Sequence, residues 1–410
     1  MPAGYLITYK DDGWRDELGR YTFDLAPGFT PWPASQHDRL SSFSFKLPVG
    51  WDLRIHEHRD SASRCKVWRG SGAEVRVDRD ELPGFLHDEA SGHSWVRLNY
   101  ASIPQAFAAV QPEGPTPLRI TRPDTITLPT GYQGDTWHQQ GIQRTTRGEL
   151  LVSGSAPEVG YLYCTDTART IVTVVTPRYG DCNHLGGFQV AGNILAVGYE
   201  HFEHGRNGTS IILFYDIADI TAPVALEHLT ITRGEAGSTA GAVALIALAD
   251  CWLALVANWD AARLDFYIST SLNLHDRATR FSPAPRWRWS AASQGLGVGS
   301  IDHNWGAYQN INLFAQPNTT PRLADLWFVG THTNRGLDRK DWADLYHLRL
   351  GADDLVVTKE GKKHFVNSGD GQHFTYAAGY YYDPAVNAFE VYAAEARLHD
   401  GTTSRVDRWL

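Results

Sequence analysis

Short segments in which apolar and polar residues alternate follow one another along most of the chain. Examples are 5–9, 43–45 and 95–98 in the first hundred residues, and 150–152, 161–163, 211–215 and 264–268 further on. Alternation with a period of two is typical of β-strands that bury one face. Turn-forming Gly, Pro, Asn and Asp residues separate the segments. The pattern therefore predicts an all-β protein built from many short strands.

A short motif recurs from residue 135 onwards, and each copy precedes a group of these segments. Its form is an acid, two residues, His or Ser, two residues and Gly. The copies are 135–141, 181–187, 235–241, 300–306 and the shorter 370–373, and 46, 54, 65 and 70 residues separate their fourth positions. Unequal periods of this size, each holding several strands, indicate a β-propeller.

Five copies predict five blades over residues 101–410, because no sixth copy follows. The last blade has only three strand-like segments, at 380–382, 389–392 and 406–410. We expect segment 118–128, within a Pro-rich stretch, to supply the fourth strand and to join the two ends of the ring. Closure of this kind removes the exposed edges of an open sheet.

Residues 1–100 contain a separate internal repeat. Segments 37–42 and 87–92 each lead into a strand, and Asp38 and Asp88 are 50 residues apart. Two four-strand units of this length predict a β-sandwich of Greek keys. The first domain is therefore assigned to residues 1–100.

The first of these loops resembles the calcium-binding signature of βγ-crystallin domains. That signature is Asn/Asp, Asn/Asp, two free residues, Ser/Thr and Ser, and His37-Asp38-Arg39-Leu40-Ser41-Ser42 matches it at five of six positions. The resemblance implies a calcium site with Asp38 and Ser41 as ligands, although His in first place removes one of the oxygens that calcium prefers. The alternative is that Asp38 only hydrogen-bonds its own turn.

Composition excludes some classes of partner. The 410 residues carry a net charge of −9, which argues against a nucleic-acid partner. No run of 18 apolar residues predicts a membrane span, and the first 30 residues lack a signal-peptide pattern. We expect a secreted mature chain, with a cytoplasmic location as the alternative. Cys164 and Cys182 either form a disulfide between blades or are buried thiols.

Ring symmetry would bring equivalent positions of the blades together at one end of the propeller axis, which we call the axial mouth. The side chains of the repeated motif would there form one site. Converging imidazoles of His138, His184, His303 and His373 predict a divalent transition-metal site. Carboxylates three residues away would orient the rings. The alternative is that these side chains fix the turns between blades. Residues that differ between copies or flank them form a predicted ligand-binding set: Trp137, Asn183, Ser238, Asp302, Trp305, Asp370 and Phe374.

The order of the acids offers a second chemistry. Asp135, Asp181 and Glu235 stand on successive blades, an order that resembles the base, orienting acid and proton donor of five-bladed glycoside hydrolases. The flanking residues do not otherwise match those families. The resemblance implies hydrolysis by two carboxyl groups, one of them buried so that its pKa is raised.

Segments 305–313, 326–331, 343–346 and 377–380 also resemble an uncharacterised group of propeller proteins, which implies the fold and no activity. We therefore predict an enzyme that acts at the axial mouth, metal-assisted or by carboxylate chemistry, on a small-molecule or glycan substrate. The alternatives are a lectin-like binding protein and a structural protein stiffened by calcium. Fold alone does not choose among them.

Overall fold

The computed structural model describes residues 4–23, 28–47, 51–59, 64–70, 73–83, 86–97, 103–129, 138–201, 208–235, 237–248, 251–298, 305–316, 325–334, 340–351, 353–369, 371–383, 388–398 and 401–410. Five of the predicted site residues lie outside these ranges: Asp135, Trp137, Asp302, His303 and Asp370.

The N-terminal part is a sandwich of two four-stranded sheets. Its strands are β1 (Tyr5–Asp11), β2 (Arg15–Thr22), β3 (Gly28–Pro31), β4 (Ser42–Lys46), β5 (Trp51–His56), β6 (Cys65–Arg69), β7 (Glu74–Val77) and β8 (Gly92–Arg97). The sheet orders are β2-β1-β4-β7 and β3-β8-β5-β6. The two halves thus exchange β3 and β7, which interlocks two Greek keys around a core that includes Trp32, Phe43, Leu53 and Trp95.

The remaining strands form five four-stranded antiparallel blades within the described residues. Blade one has β10 (Gln139–Arg144), β11 (Leu150–Ala156), β12 (Val159–Thr165) and β13 (Ile171–Val175). Blade two has β14 (His184–Ala191), β15 (Ile194–Glu200), β16 (Ser210–Asp216) and an outer strand split into β17 (Val224–Ala225) and β18 (Ile231–Arg233). Blade three has β19 (Ala242–Ala247), β20 (Trp252–Ala257), β21 (Arg263–Ser269) and the split pair β22 (Phe281–Pro283) and β23 (Trp289–Ser290).

Blade four has β24 (Asn310–Gln316), β25 (Asp325–Thr333), β26 (Asp341–Leu350) and β27 (Leu355–Phe365). Blade five has β28 (Ala378–Asp383), β29 (Ala388–Ala394) and β30 (Thr403–Trp409), and its fourth strand is β9 (Thr116–Thr121). Strand β9 pairs antiparallel with β30, so that Leu118 lies opposite Val406. The prediction of an all-β propeller fold is confirmed.

One helix interrupts the stretch whose composition indicated only a linker. Helix α1 spans Ile103–Ala109. A proline lies in its first turn, where backbone N–H groups have no acceptor within the helix, so the missing N–H costs no hydrogen bond. Its Phe107 ring stacks on Tyr380 at a centroid distance of 6.3 Å. The helix therefore packs on the propeller. No helix in the described part of the chain is long and apolar enough to cross a membrane.

Side-chain amides fill the propeller axis. The Nδ2 group of Asn310 donates to the carbonyl of Gln140 at 2.8 Å. Gln189 donates to the carbonyl of Leu313 at 2.9 Å and accepts from its N–H at 2.8 Å. The inner strands approach so closely that a Cβ atom at Gly187 would lie 2.5 Å from Oδ1 of Asn310. Glycine at this repeat position is therefore a requirement of packing.

The sandwich covers the lower face of the propeller, where the inner strands end. Lys66 of the sandwich is buried, and its Nζ lies 3.4 Å from Oδ2 of Asp216 and 2.5 Å from Nε2 of His275. Arg147 of blade one donates to the carbonyl of Ala218 at 2.7 Å and to that of Cys65 at 3.4 Å. These contacts leave the upper mouth, where the inner strands begin, on the side away from the sandwich.

Candidate functional site

The four described fourth positions of the repeated motif stand at different heights relative to the inner strands. His184 is the first residue of β14 and His138 directly precedes β10, whereas Ser238 and His373 precede β19 and β28 by four and five residues. The repeat therefore does not place these four positions at one level of the mouth. The cause is that the connections into the inner strands differ in length, so equal sequence spacing does not give equal height.

Among the described residues, His184 and Glu200 form a buried pair of ionisable groups at the upper mouth. Their side chains are 7% and 1% exposed, and Nδ1 of His184 lies 3.4 Å from Oε1 of Glu200. The other carboxylate oxygen of Glu200 accepts from the N–H of Ala240 at 2.5 Å. Blades two and three thus both hold the Glu200 carboxylate in place.

A β-bulge creates this pair. Strands β14 and β15 follow one register from Phe188 to their connecting turn, and the register shifts between Leu185 and Phe188. Without the shift His184 would face residue 201, but with it His184 lies directly opposite Glu200. Directly opposite residues of an antiparallel pair project from the same face of the sheet. The bulge therefore places the carboxylate and the imidazole on one side of the blade.

Three further residues surround the pair. The ring of Trp259 stacks on His184 at a centroid distance of 6.3 Å and an interplanar angle of 22°. His201 lies with its Nε2 4.0 Å from Oδ2 of Asp181, whose side chain is 71% exposed at the rim. We call Asp181, His184, Glu200, His201 and Trp259 the Glu200 site. It combines a buried carboxylate, two imidazoles, a rim carboxylate and an indole.

The described imidazoles do not all converge. His138 and His373 both contact the ring of Tyr376, at centroid distances of 5.3 and 6.3 Å. Nδ1 of His373 lies 3.3 Å from Oδ2 of Asp341. Within the ranges that the structure describes, no three His, Cys, Asp or Glu side chains are arranged to hold a metal ion. Because His303 lies outside those ranges, the transition-metal site stays a prediction.

The predicted catalytic acids lack the burial that their roles require. Asp135 lies outside the described residues. The side chains of Asp181 and Glu235 are 71% and 73% exposed, and Glu235 faces Arg288 with an oxygen–nitrogen distance of 3.8 Å. A carboxyl group this open to solvent lacks the buried surroundings that the role of proton donor requires. The prediction of Glu235 as a buried proton donor is wrong.

Trp305 and Phe374 belong to the core, so predicting them as ligand-lining residues is wrong. Trp305 is fully buried, stacks on Phe328 at 5.7 Å, and donates its indole N–H to the carbonyl of Ala261 at 2.8 Å. Phe374 is fully buried beside Trp409. Large aromatic rings fill the wedge between blades, which explains both positions.

Ser238 and Asn183, two more predicted ligand contacts, are both buried and hydrogen-bonded within the protein. Oγ of Ser238 accepts from Arg263 at 2.9 Å. Nδ2 of Asn183 donates to the carbonyl of Pro157 at 2.8 Å. Asn183 nevertheless lies beside the Glu200 site, because its own N–H donates to the carbonyl of Glu200 at 3.1 Å.

Sequence reasoning missed three members of the site, Glu200, His201 and Trp259. Glu200 is the last residue of β15 and is buried. A charged residue that directly ends an apolar strand was the available signal. Nearby, burial raises the pKa of the Cys182 thiol to about 11, with Asp181 and Glu200 adding to the shift. All four cysteines are free thiols, and Cys182 stays protonated at neutral pH.

The crystallin-like loops adopt matching backbone conformations. Asp38 and Asp88 both have φ of 52°, in the left-handed region. Oγ of Ser91 donates to Oδ1 of Asp38 at 3.3 Å, which links the two loops. Ser41 is buried, and its N–H donates to the carbonyl of Tyr9. Calcium binding by Asp38 and Ser41 stays a prediction.

The chain is similar to some solved structures, at low sequence identity. A scan with protein-family models gives no match, and a search of curated proteins gives none either. The family resemblance of the sandwich therefore stays a prediction. Among solved structures, the chain is similar to Bombyx mori GH32 beta-fructofuranosidase BmSUC1, at 12% identity and a TM-score of 0.39 over 73% of this chain and 63% of that one.

Two other solved structures are also similar. One is a fructofuranosidase from Schwanniomyces occidentalis complexed with fructose, at 9% identity and a TM-score of 0.42, over 66% of this chain and 55% of that one. The other is the Dos1 propeller, at 10% identity and a TM-score of 0.28, over 66% and 67%. The chain spans less than two thirds of each fructofuranosidase. Similarity at this level assigns no activity to the chain.

Proposed function

We propose that the chain is a hydrolase that acts on a carbohydrate-like substrate at the upper mouth. Glu200 and His184 form the acid–base pair, and the burial of Glu200 opposite His184 is the observation that carries the proposal. A carboxylate beside one ring nitrogen fixes the orientation of an imidazole, and a proton is then exchanged through the other nitrogen. Buried ionisable pairs in a cleft are candidates for such chemistry.

The rest of the site fits a sugar-like substrate. Trp259 is partly exposed above His184, and an indole face offers an apolar platform for a sugar ring while its N–H stays polar. Asp181 supplies a second carboxylate at the rim. Most enzymes that hydrolyse a glycosidic bond use two carboxyl groups that flank it. The substrate would enter from the side that the sandwich does not cover.

Glu200→Gln tests the proposal. Glutamine keeps an oxygen that can accept from the N–H of Ala240 but lacks the charge with which Glu200 would orient His184 for proton exchange. Activity on a panel of chromogenic glycosides and reducing oligosaccharides should fall by roughly 100-fold or more, as for loss of a general acid or base. The matched control is Glu149→Gln, which alters another buried carboxylate, on the lower side of blade one. It should keep turnover within about twofold.

A second candidate function is sugar binding without turnover. The observation that favours it is the partly exposed Trp259 ring beside amide and imidazole groups, a set that also suits a lectin. A glycan array followed by product analysis separates the two candidates. Binding with product release supports the hydrolase. Binding that depends on Trp259, with no product from any bound glycan, overturns it in favour of the lectin.

A further inference from the structure

Two neighbouring pockets lie between the sandwich and the lower face of the propeller, far from the Glu200 site. Each has a volume of about 100 Å³. Asp52 and Val67 of the sandwich and Ala191 and Gly192 of blade two line both pockets, so the two pockets adjoin each other. Residues of both domains thus form one composite cavity that neither domain has alone.

The two halves of this cavity differ in chemistry. One half, which we call the aromatic pocket, has an apolar wall and also touches the charged residues Asp52, Lys66 and Arg76. The apolar wall is formed by Phe45, Trp68, Val75, Trp252 and Leu274. A cavity of about 150 Å³ with an apolar lining is known to hold one benzene ring. The aromatic pocket is of comparable size. It therefore suits a single ring or a short hydrocarbon chain.

The other half, the arginine pocket, is lined by Arg54 from the sandwich and Arg144 from blade one. Arg144 lies over the ring of Tyr381, 4.3 Å from its centroid, and 3.7 Å from Glu390. Arg54 is partly buried. Among the residues that the structure describes, Nε of Arg54 and Nη1 of Arg144 are buried without a hydrogen-bond partner.

A buried cationic donor without an acceptor destabilises the protein, because it has lost its hydrogen bonds to water. A carboxylate would offset this cost, because a guanidinium binds it with two parallel, charge-assisted hydrogen bonds. The apolar half beside it would at the same time accept a hydrocarbon group. We propose that the interdomain cavity binds a small amphiphilic carboxylate, with its acid group at Arg54 and Arg144 and its ring or chain in the aromatic pocket.

Three matched probes test the chemistry: 3-phenylpropionate, 3-phenylpropanol and 3-phenylpropylamine. They share one ring and one spacer and differ in the charge of the end group. Isothermal titration calorimetry on the full chain should show the acid binding more tightly than the alcohol, and the alcohol more tightly than the amine. Equal binding of the three probes, or tighter binding of the amine, would overturn the proposal.

Arg54→Gln should weaken binding of the acid by at least roughly tenfold, because it removes a charge-assisted contact, and leave the alcohol unchanged. The control is Arg39→Gln, which alters an exposed arginine of the same domain outside both pockets and should change neither. Unaltered binding of 3-phenylpropionate to Arg54→Gln would refute the proposed carboxylate site.

A second variant covers the case in which Arg54→Gln does not fold. Val67→Trp places a large ring at the junction of the two pockets and leaves both arginines in place. It should abolish binding of 3-phenylpropionate, and retained binding would refute the composite cavity. Circular dichroism confirms the fold in each case. The proposal does not rest on the activity of the upper mouth, and none of these changes touches the Glu200 site.

Discussion

A buried histidine makes the stability of the sandwich depend on pH. His93 is 1% exposed, and its Nδ1 accepts from the indole N–H of Trp32 at 2.9 Å. The rings of Tyr21 and Trp95 lie against it at centroid distances of 4.5 and 4.7 Å. A protonated ring could not accept that hydrogen bond. Burial, with a smaller contribution from His56, lowers the pKa of His93 to about 3.

The sign and size of the effect follow from this pKa. Unfolding returns His93 to its ordinary value of 6.5, so between about pH 6.5 and 3 the unfolded chain binds one more proton than the folded chain. Stability from this residue is complete above pH 6.5 and is lost as the pH falls. The slope is about 1.4 kcal/mol per pH unit. Between about pH 6.5 and 4.5 the loss therefore amounts to about 3 kcal/mol.

His93→Gln isolates this contribution, because an amide oxygen can still accept from Trp32 but does not titrate. The variant should be less stable than the wild type near neutral pH. Its free energy of unfolding, from urea titrations read by tryptophan fluorescence, should fall less steeply on acidification, by about 1.4 kcal/mol per pH unit. His58→Gln is the control, since that side chain is 63% exposed. An unchanged slope in His93→Gln would refute the reasoning.

Three further predictions concern packing, docking and calcium. Gly187→Ala should destabilise the chain by about 1–3 kcal/mol in urea, because its Cβ has no room at the axis, whereas Gly234→Ala, with no heavy atom within 4 Å of its Cβ, should be nearly neutral. Lys66→Met should lower the free energy of unfolding by about 3–5 kcal/mol, because it leaves the buried Asp216 carboxylate without its cation. A smaller loss in a melting experiment would show that water reaches Asp216. Added calcium should raise the melting temperature of the wild type but not that of Asp38→Ala. Equal shifts in the two proteins would exclude the Asp38 loop as the calcium site.

The strands were predictable because their signal is local. Segments 161–163 and 211–215, assigned from alternation, lie within β12 and β16. Helix α1 was missed, because prolines and polar residues around it have the composition of a linker. The packing of Phe107 on Tyr380, which stabilises that helix, joins residues far apart in the sequence. Tertiary contacts therefore decide short elements that local pattern leaves ambiguous.

The site was only partly predictable, for the same reason. Asp181, Asn183 and His184 were found because they lie in a repeated motif. Glu200 joins them through a one-residue shift of register near Leu185. A shift of one residue turns every side chain of a strand to the opposite face. Nothing in the local sequence pattern indicates this shift. Residue types along the chain therefore indicate which groups are available, but register decides which groups meet.

The two ends of the propeller axis are built differently, which explains why we expect the active site at the upper mouth. Amides of Gln143, Gln189, Asn310 and Asn312 bridge the inner strands across the axis. The sandwich, anchored through Lys66, covers the lower end. A substrate of the proposed hydrolase would therefore approach from above and stop at the rim of the inner strands. Glu200 lies at that rim, where a bulge can re-aim a side chain without disturbing the amide-filled axis beneath it.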